Sequence, residues 1–465
     1  MEVICSNKIL VKNPTLELKE FASNKLTLPN PEFYKKEAMG KWTGSTPKDI
    51  VLYEKYGYDT LILPFGVVRT LYKDYVKETD TFIPRFANNG NRKIGSSIKL
   101  YPYQERAVRK AVGKKNGIIV MPCGSGKTQT ALELVARLGK KTLWLTHTLD
   151  LLNQSMERAK SCLDLPQKEY GTITGGKVNV GNTITFATVQ TMCNIDLQTM
   201  KYQFDVIVVD ECHKCVGTPT NVMMFYKVLS NLASRYKFGL TATPQRADGL
   251  EQCMFSLIGD TIDEVTKEEV KEFTCPVEVN KILTGYTPNL NVITAGDGTI
   301  VYGSLIDDII NNQERNQTIV DELKKCDGAC LILSDRLAHL DTLYRMLGEP
   351  SVSRKLDGIS NTKASKLERK QATTDLNNGK IKYLFATYKL AKEGLDIPNL
   401  RYLVMATPQK DYTTVVQSTG RVGRKAEGKT KGIVLDFVDD FGLLLGYSRK
   451  RNNIYKKLDY TINII

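Results

Sequence analysis

The chain has 465 residues, 42% of them hydrophobic and 25% charged, and 65 Lys and Arg against 51 Asp and Glu give a formal net charge of +14. That is the composition of a globular protein of roughly two to four domains, not of a low-complexity or fibrous chain. No apolar run reaches the roughly 18–20 residues that cross a bilayer, and residues 1–8 lack a basic segment followed by an apolar one, so no membrane span, no signal peptide and a cytoplasmic location are expected. Ten cysteines follow no framework spacing, which suits reduced thiols. The one C-x-x-C, Cys212-His213-Lys214-Cys215, has no second pair to complete a metal site, and no metal is expected there. The surplus of positive charge points to a polyanionic partner, nucleic acid or a membrane surface.

In chain order, residues 1–95 are rich in Lys and aromatic residues, with fifteen Lys and Arg against eleven Asp and Glu. Tyr34, Trp42, Tyr53, Tyr56 and Tyr58 are expected to form the core of a small accessory domain, leaving Lys35, Lys36 and Lys41 as its working surface; the other reading is that these rings stack on bases. The Asn- and Gly-rich stretch 87–95 reads as a linker or exposed loop. From about residue 100 the pattern becomes near-continuous apolar runs alternating with helical stretches. The runs at 117–121, 142–146 and 205–209 are predicted strands buried on both faces, and 128–138 is predicted helical, with Leu132, Leu134, Val135 and Leu138 on one side. The charged stretch 262–273 interrupts the rhythm. It resumes after about Cys275, with strands predicted at 330–333, 383–386, 402–405 and 432–435. The fold class expected is α/β, with two tandem doubly wound parallel-sheet domains at 96–265 and 275–465 behind the accessory domain at 1–95. Residues 448–451, Ser-Arg-Lys-Arg, read as either a phosphate-binding edge or a solvated helix face.

Gly124-Ser125-Gly126-Lys127-Thr128 stands between a predicted strand and a predicted helix. The backbone N–H groups of such a loop cradle phosphates, Lys127 would reach the β- and γ-phosphates, and the Thr128 hydroxyl would hold Mg²⁺. Met121 stands where the strict pattern has Gly, but strand, loop and helix come in the right order. Asp210-Glu211 ends the apolar run at 205–209, where ligands of open α/β sheets bind. Asp210 suits a Mg²⁺ ligand, and Glu211 a general base acting on water.

Asp210-Glu211-Cys212-His213 resembles the DExH box of superfamily-two helicases, whose fold pairs two RecA-like domains. Further motifs follow in that family's order. Residues 100–104 resemble the adenine-reading motif. Residues 146–148, 174–176 and 188–191 resemble the strand-contacting motifs, and Thr241-Ala242-Thr243-Pro244 the coupling motif. Thr387 with 393–398 resembles motif five, and 417–424 motif six. The resemblance spans about residues 98–440. It implies that Gln104 reads adenine, making ATP the nucleotide, and that Arg421 and Arg424 are arginine fingers supplied by the second domain. It gives Gln417 the positioning of water, Asp396 the ribose, and Gly394 a close backbone approach. His213, Thr241 and Thr243 would couple nucleotide state to nucleic-acid grip, and Thr148, Gly176, Thr188, Gln190, Arg336, Thr387 and Lys389 would touch nucleic acid.

Thr241–Pro244 and Gln417 are unlike the DEAD-box RNA group and similar to duplex-engaging DNA translocases. The sequence resembles phage recombination helicases of the UvsW type and, more distantly, XPB-type helicases. Residues 243–250, 436–442 and, more softly, 28–31 with 42–44 carry this likeness. It implies forks, displacement loops or Holliday junctions as substrates, replication or recombination proteins as partners, a monomer, and host cytoplasm if phage-encoded. The alternatives are an RNA helicase and a nucleotide-gated annealing or binding protein. A restriction-nuclease motor is disfavoured, since no separate carboxylate–Lys cluster is left over.

Overall fold

The structure is a computed structural model. It describes all residues except Cys123, 245–248, 358–362, Glu393, Gly394 and Asp396, together with the side chains of Lys363, Ala364, Lys366 and Lys392. The expected roles of Gly394 and Asp396, and the likeness at 245–248, lie outside the described residues. The chain forms two compact units, Met1–Thr266, less the tip of one loop, and Lys267–Ile465.

The first unit is built on an eight-stranded sheet. Its strand order is Lys177–Asn179, Tyr170–Thr174, Ile184–Thr188, Thr142–Thr146, Val206–Asp210, Tyr236–Thr241, Asn116–Val120 and Thr261–Glu264. Only Lys177–Asn179 is antiparallel to its neighbour. The central strands are buried along their whole length, as their unbroken apolar runs require. The strand at Thr261–Glu264 overlaps the start of the stretch read as an interruption. Its charge concealed it: Asp263 is buried and lies 3.0 Å from Arg106 Nε and 2.6 Å from Lys110 Nζ, so an acidic residue occupies a position that pattern reading reserves for an apolar one.

Residues 1–84 build a separate five-stranded sheet, ordered Glu54–Tyr56, Thr60–Pro64, Lys8–Lys12, Glu2–Cys5 and Thr81–Pro84. Its core is aliphatic, formed by Val3, Ile9, Val11, Leu18, Leu61, Leu63 and Leu71, and Cys253 from the helix Glu251–Ile258 is part of it. This corrects the expectation of an aromatic core. Trp42 is 89% exposed, Tyr56 76% and Tyr58 100%, and Tyr34 is also exposed; only Tyr53 packs against the core. The alternating aliphatic residues of the strands already fill the sheet's inner face, and the exposed rings fall outside it, Tyr34 on the helix Pro31–Ala38, Tyr56 on an edge strand, and Trp42 and Tyr58 in a loop and a turn.

The leading sheet is fastened to the larger one. The Lys237 ammonium lies 4.4 Å from the Phe65 ring centroid and donates to Leu229 O, and Arg69 donates to Asp260 O. At Gly66 a Cβ would fall 2.1 Å from Phe255 O, so backbone presses on backbone there. The stretch at 87–95 is no free linker either. Ala87 N donates to Ala233 O, Arg92 N to Gly139 O, and Asn89 N to the buried carboxylate of Asp205.

The second unit carries a seven-stranded, all-parallel sheet. Its order is Ser353–Lys355, Tyr383–Thr387, Cys330–Ser334, Tyr402–Met405, Gly432–Val438, Val277–Leu283 and Thr461–Ile464. Two buried ion pairs brace it, Arg315 with Asp439 at 2.7 Å and Arg451 with Asp436 at 2.7 Å. Arg451 therefore belongs neither to a phosphate-binding edge nor to a solvated face. It is 1% exposed inside the helix Gly442–Lys457, while Arg449 and Lys450 lie on that helix's outer side. Among the described residues no helix is long and apolar enough to cross a membrane.

Candidate functional site

In parallel sheets every strand delivers its carboxyl end to one edge, so residues remote in sequence meet there. At that edge of the first sheet, Asn116–Val120 leads through the Gly124–Gly126 loop into the helix Lys127–Leu138. Gly124 and Gly126 both take φ +82°, which side chains resist. At Gly126 the reason is also steric, because a Cβ would fall 2.5 Å from Gln104 Nε2. Gln104 is 1% exposed, and its Oε1 accepts from Tyr101 N at 2.9 Å, closing a capping box on the helix Pro102–Lys114. One buried amide thus caps a helix and lies against the loop. Ser125 stands between the two glycines, and Thr128 opens the helix one residue after Lys127.

Two strands away, Asp210 ends Val206–Asp210 and is buried. Burial and the neighbouring Glu211 push its carboxyl upward, against the pull of Lys127 and a hydrogen bond from Ser155. Glu211 goes the other way: burial alone would raise it, but the His213 contact and the Lys127 charge hold it low. Lys127 thus faces two adjacent carboxyls, one held low and one pushed upward by burial and its neighbour. A divalent cation at Asp210 would favour its ionised form. Thr128 and Asp210 are the residues that would hold Mg²⁺, which would neutralise charge on the phosphates.

Glu211 has φ +52° and ψ 51°, a left-handed conformation unusual for a residue with a side chain. The kink opens a short turn, Cys212–Lys214, that brings His213 beneath the carboxylate. His213 Nδ1 lies 3.2 Å from Glu211 Oε2 and 3.2 Å from Thr241 Oγ1. The Thr241 hydroxyl donates to Thr243 O and accepts from Thr243 N. With its hydrogen committed, Thr241 can only accept from His213, which assigns the proton to Nδ1. The result is a continuous path from Glu211 through His213 to Thr241 and Thr243. Cys212 and Cys215 of the C-x-x-C are both fully buried, and Cys212 Sγ occupies the space a Cβ on Gly239 would need.

The remaining candidates of the first unit line the same edge on the neighbouring strands. Thr148 caps the helix Leu149–Cys162, accepting from Leu151 N. Gln190 Nε2 donates to His147 O at 2.8 Å, and the buried Thr188 hydroxyl donates to Thr191 Oγ1. Gly175 and Gly176, both with positive φ, form the exposed turn between Tyr170–Thr174 and Lys177–Asn179. Nucleotide candidates and grip candidates therefore occupy adjacent halves of one edge.

In the second unit, Arg336, Thr387 and Lys389 lie at the carboxyl ends of Cys330–Ser334 and Tyr383–Thr387. Arg336 is exposed, 3.4 Å from Asp307. The Thr387 hydroxyl accepts from Leu390 N, and Lys389 is exposed. Gln417 is half-buried on the helix Tyr412–Thr419. Arg421 is buried, its guanidinium donating to the carbonyls of Ala391 and Leu395 within its own unit, whereas Arg424 is half-exposed.

Two groups escaped sequence reading. Ser155, the partner of Asp210, is one serine on an ordinary amphipathic helix. His339 is buried, with Nε2 2.9 Å from Asn316 Oδ1 and Nδ1 3.1 Å from Ser334 Oγ, and that same oxygen accepts from Arg336 N. This network sets the loop that carries Arg336, and only the three-dimensional arrangement shows it.

Comparison with known proteins fits this geometry. Residues 97–246 match the family of type III restriction enzyme res subunits, and residues 314–426 match the helicase conserved C-terminal domain, in that order along the chain. The chain belongs to the superfamily-two helicases. Among relatives, a putative ATP-dependent RNA helicase of Acanthamoeba polyphaga mimivirus is 27% identical over 361 residues, 74% of this helicase and 64% of the viral protein. The aligned chain thus spans less than two thirds of that relative's length. A DNA 3′–5′ translocase, XPB2, of Sulfurisphaera tokodaii is 31% identical over 198 residues, 42% of each chain. The solved structure of T4 UvsW matches 100% of this chain and 99% of its own, with a TM-score of 0.41 and 18% identity.

Proposed function

We propose that the chain is an ATP-dependent DNA helicase or translocase that unwinds or branch-migrates forks, displacement loops and Holliday junctions in recombination, repair or replication. The observation that carries the motor reading is the path Glu211–His213–Thr241–Thr243, which ties a candidate water-activating carboxylate to the end of the neighbouring strand, on the sheet edge whose other half carries Thr148, Thr188 and Gln190. In this reading Lys127 and the loop amides bind the phosphates of ATP, Gln104 reads adenine, and Glu211, held ionised, takes the proton of the attacking water. Gln417, Arg421 and Arg424 act on the γ-phosphate, and Gly394 and Asp396 on the nucleotide's sugar side. Thr128 and Asp210 hold Mg²⁺. The choice of DNA is supported by the Sulfurisphaera relative and by Thr241–Pro244 with Gln417. In this reading residues 1–95 are an accessory, DNA-binding domain, 96–265 the first motor domain and 275–465 the second. The protein works as a monomer in the cytoplasm.

ATP hydrolysis measured alone and with single-stranded DNA, duplex, fork, four-way junction and RNA tests this reading. Strongest stimulation by forks and junctions is expected. The second reading, an RNA helicase, is favoured by the mimivirus relative's description, and stimulation by RNA alone would replace the first reading with it.

A further inference from the structure

The excursion between the paired strands Thr27–Pro29 and Asp49–Val51 is folded without a core. The helix Pro31–Ala38 has no buried residue, and neither has the loop that follows it to Asp49. Hydrogen bonds, rather than buried apolar side chains, hold much of its shape. Asn30, which is buried, accepts from Glu32 N, donates its amide to Pro47 O and its N–H to Lys48 O, and Lys36 donates to Thr46 Oγ1. At its tip stands Trp42, 89% exposed. The ring is not splayed at random. A Cβ on Gly44 would fall 2.7 Å from it, so the six-membered ring lies close to Gly44, at φ +52°, while the side chain stays exposed. On the same excursion Lys35, Lys41 and Lys48 are exposed, as are Glu37 and Asp49, while Glu32 is paired with Lys36 at 2.8 Å.

We propose that this arm is a contact for single-stranded nucleic acid, with Trp42 stacking on an unpaired base and Lys41, with Lys35 and Lys48, meeting the flanking phosphates. The proposal rests on the nucleic-acid reading above and assigns this surface its ligand. An exposed indole takes a planar, apolar partner, and a base offers its face only where it is not stacked inside a duplex. The lysines supply the charge complement of a phosphate chain.

The chain contains its own probe. Of its two tryptophans, Trp144 is fully buried, so a ligand-induced change in emission reports Trp42. Titration of the full chain with a 12-nucleotide oligothymidylate, without ATP, should quench that emission, and Trp42→Phe should abolish the signal. By anisotropy of the labelled oligonucleotide, Trp42→Ala should weaken binding about 5- to 100-fold and Trp42→Phe much less. Blunt duplex should bind Trp42→Ala as it binds the parent chain. Tight oligonucleotide binding with Trp42 emission unchanged, or an unaltered affinity of Trp42→Ala, overturns the proposal while DNA-stimulated ATP hydrolysis keeps the motor reading. If nothing in the panel binds or stimulates, both fall together.

Discussion

At Glu211 and His213, the proposed function gives two neighbouring side chains the work of acting and coupling. Glu211→Gln removes the proposed water-activating base while keeping the side chain's size, and should lower ATP hydrolysis by about 10²–10⁴-fold with ATP binding retained; unwinding at the parental rate would refute the assignment. His213→Ala leaves the base and breaks the path to Thr241. Unwinding should then fall much further than ATP hydrolysis, and an equal loss of both would reduce His213 to a support for the carboxylate. These residues were legible because two carboxylates end an apolar run downstream of a phosphate-type loop, and because Asp210-Glu211-Cys212-His213 resembles the DExH box. The kink that makes them meet was not, because nothing in the letters marks position 211 for a left-handed backbone. The aromatic residues of the leading segment show the reverse error: ring-rich sequence suggested a core, but aliphatic alternation on the strands had already filled it.

Among the elements, the second sheet depends on charges that it buries. Arg315 and Asp439 are both fully buried, and Thr284 also donates to Asp439 at 2.7 Å. Arg315→Met should destabilise the unit by about 3–5 kcal/mol, because Asp439 is left buried without its cation; adding Asp439→Leu should recover most of the loss. Thermal melting of both variants decides this, and a double variant no better than the single one would show that the pair is not the cause. His339 makes stability depend on acid. Burial lowers its pKa to about 3, and burial likewise lowers His147 to about 4. An unfolded chain takes up these protons near pH 6.5, the folded one only near those lower values, so stability is full above pH 6.5 and falls as pH drops below it. The decline is about 1.4 kcal/mol per unit for each group. Urea unfolding at pH 7, 6 and 5 should show the decline, and His339→Gln should make it shallower; parallel profiles would exclude His339 as a source. Most strands could be read from their apolar runs. Thr261–Glu264 could not, because Asp263 is made tolerable by Arg106 and Lys110, which lie about 150 residues away in sequence.

On the scale of the molecule, the leading sheet and the first α/β sheet share surfaces that neither could leave exposed. Cys253, Gly66, Phe65 and Lys237 meet there, and Asn7 donates to Ser230 O at 2.6 Å. Removal of residues 1–95 should therefore yield an aggregating or low-melting fragment rather than a motor that has lost one contact. A soluble fragment with the parental melting temperature and ATP hydrolysis would show the sheet to be dispensable. Composition signalled a separate segment, but a join made of backbone contacts at Gly66 and a lysine over a ring leaves no periodic trace.

The common direction of the strands has one more consequence. The helices Lys127–Leu138, Leu149–Cys162 and Leu337–Leu347 each begin just beyond a strand's carboxyl end, so their amino-terminal N–H groups and the positive ends of their dipoles face the same edge as the strand tips of their own unit. This attraction for phosphate is written in the backbone, and no side-chain substitution erases it. An alanine scan of the edge will therefore undercount the grip. Divergent sequences can exchange many of the side chains there and still keep hold of a polyanion.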